Sequence, residues 1–300
     1  MVTKEIQGDI EKIENDTSLI PELNFVSRMQ ALDYLEFNII DRIDGLVHSN
    51  IPAIELTSLR QRAETLKNKL ESIDETLFQK LRAGIRAGRL IGTAFKDLVA
   101  EYVGHEPYGS RQQDEPGYDS LDMFIDGLLL SQAIPNPIKD REAEMVYYQQ
   151  TPARIIFELI EKAHLTEKDI FYDLGSGLGQ VPILVNITSG ALAKGVEFEP
   201  AYYTYASACA LNLNLAQVEF INEDARTVDL SDGNVFFMYT PFEGGILQVV
   251  LEKLKGCSQG KKIRLFTYGT CTFQAARQNW LECVDKGVVQ IYKLAEFKSR

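Results

Sequence analysis

Of 300 residues only four are cysteine, three histidine and one tryptophan. Cys209, Cys257, Cys271 and Cys283 lie far apart with no C-x-x-C spacing. That excludes a zinc knuckle or a dense disulfide framework and fits a reducing, cytoplasmic compartment. His48, His105 and His164 form no metal-ligating group in sequence, so no metal is expected. No run approaches the roughly 18 apolar residues of a membrane span, and the N-terminus lacks the apolar stretch of a signal peptide, so a soluble intracellular protein away from membranes is expected. Cations are also short: Lys plus Arg is 31 against 43 Asp plus Glu, a net charge of -12. Broad binding to polyanions is disfavoured, because phosphate contacts need concentrated positive charge. What is present is an ordinary globular composition, 45% hydrophobic and 25% charged, at a length that suits one large domain with appendages or two unequal domains.

The first hundred residues read as helices. Met29, Leu32, Leu35, Ile39, Ile43 and Leu46 fall on one helical stripe, which His48-Ser49-Asn50 and Ile51-Pro52 end. Leu56, Leu59, Ala63, Leu66, Leu70, Ile73, Leu77 and Leu81 then step as an a/d seam. Two readings of the seam stay open: an antiparallel hairpin packing on itself, or a surface for self-association, with a homodimer through 56–81 as the candidate partner. Lys80, Arg82, Arg86, Arg89 and Lys96 form a basic stretch, read as a solvated face or a contact for phosphate or an acidic partner. Residues 104–150 are loop-like around a short helix at 121–131. From 151 the pattern alternates: helix 152–164, strand 169–174, helix 180–189, strand 193–198, helix 200–213, strand 217–221, strand 234–239, helix 244–255, strand 262–268 and a terminal strand at 288–296. Such alternation means a mostly parallel, doubly wound α/β sheet. The expected domains are therefore a helical 1–103, a loop or lid at 104–150 and a Rossmann-like 151–300.

Chemistry is announced at Asp173-Leu174-Gly175-Ser176-Gly177-Leu178-Gly179-Gln180, where a strand runs into a glycine-rich turn that opens a helix. Glycines let a ligand approach the backbone and leave helix N-terminal amides facing it. Dinucleotide binding wants a glycine where Gln180 stands, so NAD is disfavoured. The run resembles motif I of class I S-adenosylmethionine-dependent methyltransferases. That resemblance implies that Asp173 holds the amino-acid end of the cofactor and that the turn Gly175-Ser176-Gly177-Leu178-Gly179 allows its approach. It further implies that Glu197, ending strand 2, grips the ribose hydroxyls, and that Asp224 and the Ala225 amide meet the adenine. A carboxylate can accept from both ribose hydroxyls at once.

Upstream, Tyr148-Gln149-Gln150-Thr151, a helix, and then the Asp173–Gln180 run resemble histone-lysine methyltransferases of the disruptor-of-telomeric-silencing type over roughly residues 145–225. By that resemblance Tyr148 and Thr151 close over the methionine part of the cofactor and Gln180 touches it. The chain departs from the family where strand 4 ends: Asn-Asn-Phe is replaced by Tyr239-Thr240-Pro241-Phe242. Gln149 and Gln150 also stand in place of Gly and Glu.

Tyr239-Thr240-Pro241-Phe242 also resembles the (Asn/Asp)-Pro-Pro-(Tyr/Phe) motif of enzymes that methylate planar nitrogens, with Thr240 at a proline position. Tyr239 would accept a hydrogen bond and Phe242 would stack, or both merely wall the pocket. Glu243 is a proton acceptor or a charge at a helix start. His105 is the histidine to test as a base. The function expected is methyl transfer to an acceptor such as a protein lysine or another nitrogen, protein or small molecule rather than nucleic acid. The alternative is a non-catalytic cofactor-binding protein whose helical half binds a partner.

Overall fold

A computed structural model of the chain describes residues 2–46, 52–104, 118–129, 133–285 and 290–300. The expected helix end at His48 to Ile51, His105 and most of the loop that carries it lie outside the described residues. Contacts divide the chain into two compact units: Met1–Leu81 with Leu98–His105, and Arg82–Asp97 with Glu106–Arg300.

The first unit is helical, with α1 (Val2–Asn15), α2 (Phe25–Asp33), a π-helical turn at Tyr34–Ile40, α3 (Asp41–Gly45) and most of α4 (Ala53–Arg86). The stripe and the seam meet each other. Leu35, Ile39 and Ile43 share one buried cluster with Ile6 and Ile10 of α1 and with Leu56, Leu59, Ala63, Leu66 and Leu70 of α4. Leu77 and Leu81 are buried as well, and Ile73 partly. The seam is thus consumed inside its own unit, which is the self-packing reading and leaves no apolar stripe at 56–81 to join a second copy. Arg28, fully buried, donates to Asp74 on α4 at 2.6 Å and to the carbonyls of Leu19, Pro21 and Glu22. One guanidinium thereby satisfies a buried carboxylate and three loop carbonyls.

The second unit is the α/β fold. Its elements are α5 (Thr93–Val103, shared with the first unit), α6 (Ser120–Leu129), α7 (Ala153–Ala163), β1 (Ile170–Leu174), α8 (Gln180–Ser189), β2 (Leu192–Val196), α9 (Pro200–Asn212), β3 (Val218–Ile221), β4 (Val235–Tyr239), α10 (Gly244–Cys257), β5 (Arg264–Tyr268), α11 (Cys271–Ala276), β6 (Leu281–Cys283) and β7 (Ala295–Ser299). The sheet order is β3-β2-β1-β4-β5-β7-β6, with β1 to β5 parallel and β7 antiparallel to both β5 and β6. Strand order therefore reverses between β1 and β4, and the carboxyl ends of those strands are where an open sheet binds its ligand.

One expectation is corrected here. The terminal strand lies at Ala295–Ser299 rather than 288–296, of which 288 and 289 lie outside the described residues: Ala295 to Lys298 pair with β5, and the charged Glu296 and Lys298 interrupt the apolar run there. Strand β6 and helix α11, three and six residues long, are too short to show a period. In the basic stretch Lys80, Arg86 and Arg89 are exposed; Lys80 pairs with Glu22, Arg82 donates to the Gly127 and Leu128 carbonyls, and Arg86 to that of Asn212.

Candidate functional site

The glycine turn is built by backbone that only glycine adopts readily. Gly175, Gly177 and Gly179 all have positive φ, from +51° to +88°. Each also lacks room for a side chain. A Cβ on Gly175 would strike Pro241, one on Gly177 the Tyr148 ring, and one on Gly179 Phe220 and Ala206. The turn is therefore pressed between the loop after β4 and the segment ahead of α7.

Two carboxylates stand beneath it. Asp173, 3% exposed at the end of β1, faces Glu197, 9% exposed just past β2. Burial pushes the pKa of both acids up, and for Asp173 the Glu197 charge adds to the rise. Glu197 accepts the Gly177 amide at 2.7 Å and the Glu199 amide at 2.8 Å, so it ties the turn to the start of α9. Glu199, also buried, accepts from the amides of Ile138, Lys139 and Ala201. It pins the strap ahead of the domain against α9, where Lys139 Nζ lies 3.4 Å from the centre of the Phe198 ring.

A cavity of about 660 Å³ opens over these strand ends. Its wall includes Tyr148, Gly175, Glu197, Asp224, Ala225, Tyr239 and Phe242, so seven of the residues singled out in the sequence come together. Asp224 is charged: Arg226 donates to both its oxygens and holds its carboxyl below the usual range. The other six do not form the wall. Asp173 at the end of β1 and Ser176, Gly177 and Gly179 of the turn are not in the lining, Thr151 precedes α7, and Gln180 turns its amide to Asp126 on α6. Phe198, Tyr202, Tyr292 and Lys139 also line the cavity and carried no sequence signal, since lone aromatics and cations in loops have no period or spacing.

On the far side, the cavity is aromatic. The Tyr239 and Tyr268 rings sit 4.9 Å apart, burial raises the pKa of both hydroxyls, and Phe242 and Tyr292 complete the wall. Thr240 has φ +38°, unusual for a β-branched residue. Its hydroxyl donates to the Tyr268 carbonyl at 3.2 Å and accepts the Cys271 amide at 3.3 Å, which holds the backbone there. Proline locks φ near −65°, so this loop cannot follow a Pro-Pro path and the likeness to the planar-nitrogen motif stops at Thr240. The loop is also laced to the upstream segment. Val146 donates to the Pro241 carbonyl, Glu243 to that of Glu144, Met145 bridges Phe242, and the Glu144 carboxylate accepts the Ile246 amide at the start of α10.

These residues suit a polar ligand that carries positive charge. The buried Tyr148 hydroxyl and the Ser176 hydroxyl, both beside the turn, have no partner in the protein. Buried polar groups are nearly always satisfied, so the two point to a ligand that bonds there. An adjacent pair of buried acids is relieved by positive charge, and the glycines leave backbone open to approach. Among the described residues no group of His, Cys, Asp and Glu could hold a metal, and no helix is long and apolar enough to cross a membrane.

Comparison with known proteins bears on the same segment. The family described as "Histone methylation protein DOT1" matches residues 141–234, which span the upstream loop, the glycine turn, Glu197 and Asp224. No curated protein matches the chain. Among solved structures, an RNA methyltransferase from Salinibacter ruber in complex with S-adenosyl-L-homocysteine is 24% identical, covering 50% of this chain and 92% of that one, with a TM-score of 0.40. A precorrin-6y C5,15-methyltransferase from Geobacter metallireducens is 15% identical over 52% and 92%, at 0.40. Magnesium protoporphyrin IX methyltransferase from Synechocystis with bound SAM is 12% identical over 49% and 76%, at 0.36. Such distant likenesses leave the acceptor open. The family match lies on the glycine turn and both acids, within the sheet order that carries them, so this segment resembles class I S-adenosylmethionine-dependent methyltransferases of the Dot1 type.

Proposed function

We propose that the cavity holds S-adenosylmethionine along the ends of β1 to β3 and passes its methyl group to a nitrogen, a protein lysine or a related amine, entering on the side of Tyr239 and Phe242. The observation that carries this reading is the continuity of one cavity from Glu197 and Gly175 of the glycine turn to an aromatic wall. In it, Asp173, Ser176 and the turn Gly175 to Gly179 bind the amino-acid end, Glu197 the ribose, and Asp224 with the Ala225 amide the adenine. Tyr148, Thr151 and Gln180 close over the methionine part.

When bound, the cofactor supplies an activated sulfonium methyl. What remains for the protein is alignment, exclusion of water and disposal of one proton. Tyr239, Phe242 and Tyr292 exclude water and attract a cationic amine before it loses its proton. Glu243, exposed at the mouth and accepting from Thr270, takes that proton on its way to solvent. Tyr239 positions the acceptor through its hydroxyl. Because α6 and the segment 133–150 pack onto α7, α9 and the loop after β4, the catalytic domain is proposed to begin ahead of residue 151.

The test is label transfer from tritiated S-adenosylmethionine to pools of lysine peptides, small amines, RNA and DNA, followed by mass spectrometry of the labelled product. Methyl-lysine in the peptide pool, lost in Tyr239→Phe, is the expected result. Label confined to nucleic acid or to oxygen would overturn the acceptor assignment.

A further inference from the structure

Asp126 on α6 lies outside the residues that match the known family and carries no motif of its own. Yet its Oδ1 accepts from both side-chain amides that flank the turn, Gln150 Nε2 at 2.7 Å and Gln180 Nε2 at 2.5 Å. An ionised carboxylate only accepts, so it compels both amides to present nitrogen. An amide whose nitrogen is turned to Asp126 directs its carbonyl oxygen elsewhere. We propose that Asp126 is a positioning residue for the cofactor's amino-acid end, fixing Gln180 so that its carbonyl oxygen is offered to the α-ammonium group. This rests on the reading of Gln180 as a cofactor contact.

Three observations support it. The unpartnered Tyr148 hydroxyl belongs to the same loop as Gln150, so the loop that Asp126 anchors already offers an unmet polar group. Tyr118 donates to the Gln150 carbonyl at 2.8 Å and completes the anchor from a second direction. Burial also pushes the Asp126 carboxyl up to about 6 despite its two bonds, so the charge is kept at a cost that an uncharged residue would avoid. The titratable groups that face it among the described residues are Asp122 on its own helix, Tyr118 ahead of it and Tyr148 on the loop. The tyrosines stay neutral near pH 7. Asp122 is held by the Asp119 and Ala153 amides. When Asp126 gains a proton it becomes a donor, and Gln180 is free to turn its oxygen inward.

Calorimetric titration of the full chain tests this with two probes, S-adenosylhomocysteine and methylthioadenosine, which lacks the amino-acid end. Asp126→Asn is expected to bind S-adenosylhomocysteine at least tenfold more weakly at pH 7 while methylthioadenosine binding and Tm hold or improve. The wild type should lose affinity for S-adenosylhomocysteine between pH 7 and 5 through this carboxyl, and the variant should show a smaller loss. Should Asp126→Asn fail to fold, Gln180→Met must give the same selective loss. Unchanged affinity for S-adenosylhomocysteine, or equal weakening of both probes, overturns the role of Asp126. A wild type that binds neither probe overturns the cofactor reading itself, and Asp126 falls with it.

Discussion

Asp173 and Glu197 show how a binding site is bought with stability. Both carboxyls have raised pKa values in the folded chain. The folded state therefore holds protons that the unfolded state has released, and stability falls as pH rises from the ordinary carboxylate range through the raised folded values. Asp173→Asn is expected to raise the melting temperature at pH 7 and flatten its pH dependence above pH 4, while weakening cofactor binding. Asp173→Ala and Glu197→Ala should each cost about 1 to 3 kcal/mol of affinity through lost charge-assisted hydrogen bonds. Unchanged calorimetric binding in both would contradict the site assignment. At Thr240, with φ +38°, Thr240→Pro should destabilise by about 3 kcal/mol or more in urea titrations, since the ring forbids that backbone. Thr240→Gly should stay close to the wild type, backbone relief offsetting the lost hydroxyl bonds.

Among the elements, those with long periods were readable and the short ones were not. Strands β1 to β5 and helices α7 to α10 stand within about two residues of their expected bounds, because each carries an apolar run or period bounded by turn residues. The π-helical turn at Tyr34–Ile40 left no mark, since a widened turn still buries Leu35 and Ile39. Asp126 was illegible for a different reason: its meaning comes from partners 24 and 54 residues away. The glycine turn and its acids were legible because strand, turn and helix fix their geometry locally. In the helical unit, α4 is held by apolar packing and by ion pairs, of which Arg28–Asp74 is the buried one and the rest are at the surface. Leu70→Ala should cost about 2 to 5 kcal/mol through the cavity it leaves. Arg28→Ala should cost about 3 to 5 kcal/mol because it strands the largely buried Asp74, whereas Arg28→Met with Asp74→Leu should recover much of the loss. Chemical denaturation of the three variants checks both statements.

For the molecule as a whole, the division into units does not follow the helices. The segment 82–97 belongs with the sheet: Arg82 donates to the Gly127 and Leu128 carbonyls, Arg86 to Asn212, and the Gly92 amide to Ile187 at the end of α8. A chain starting at residue 82 is expected to keep a higher melting temperature than one starting at 104, by differential scanning calorimetry. Saturating S-adenosylhomocysteine at about 100 times its Kd should add about 2.7 kcal/mol of stability to either that still binds. The backbone bridge between Glu144–Val146 and Pro241–Glu243 has a consequence for transplanting activity among relatives. Two stretches almost a hundred positions apart are one inheritable part. A graft of the acceptor loop alone would arrive without its mate, so exchange of specificity should succeed only when both stretches travel together.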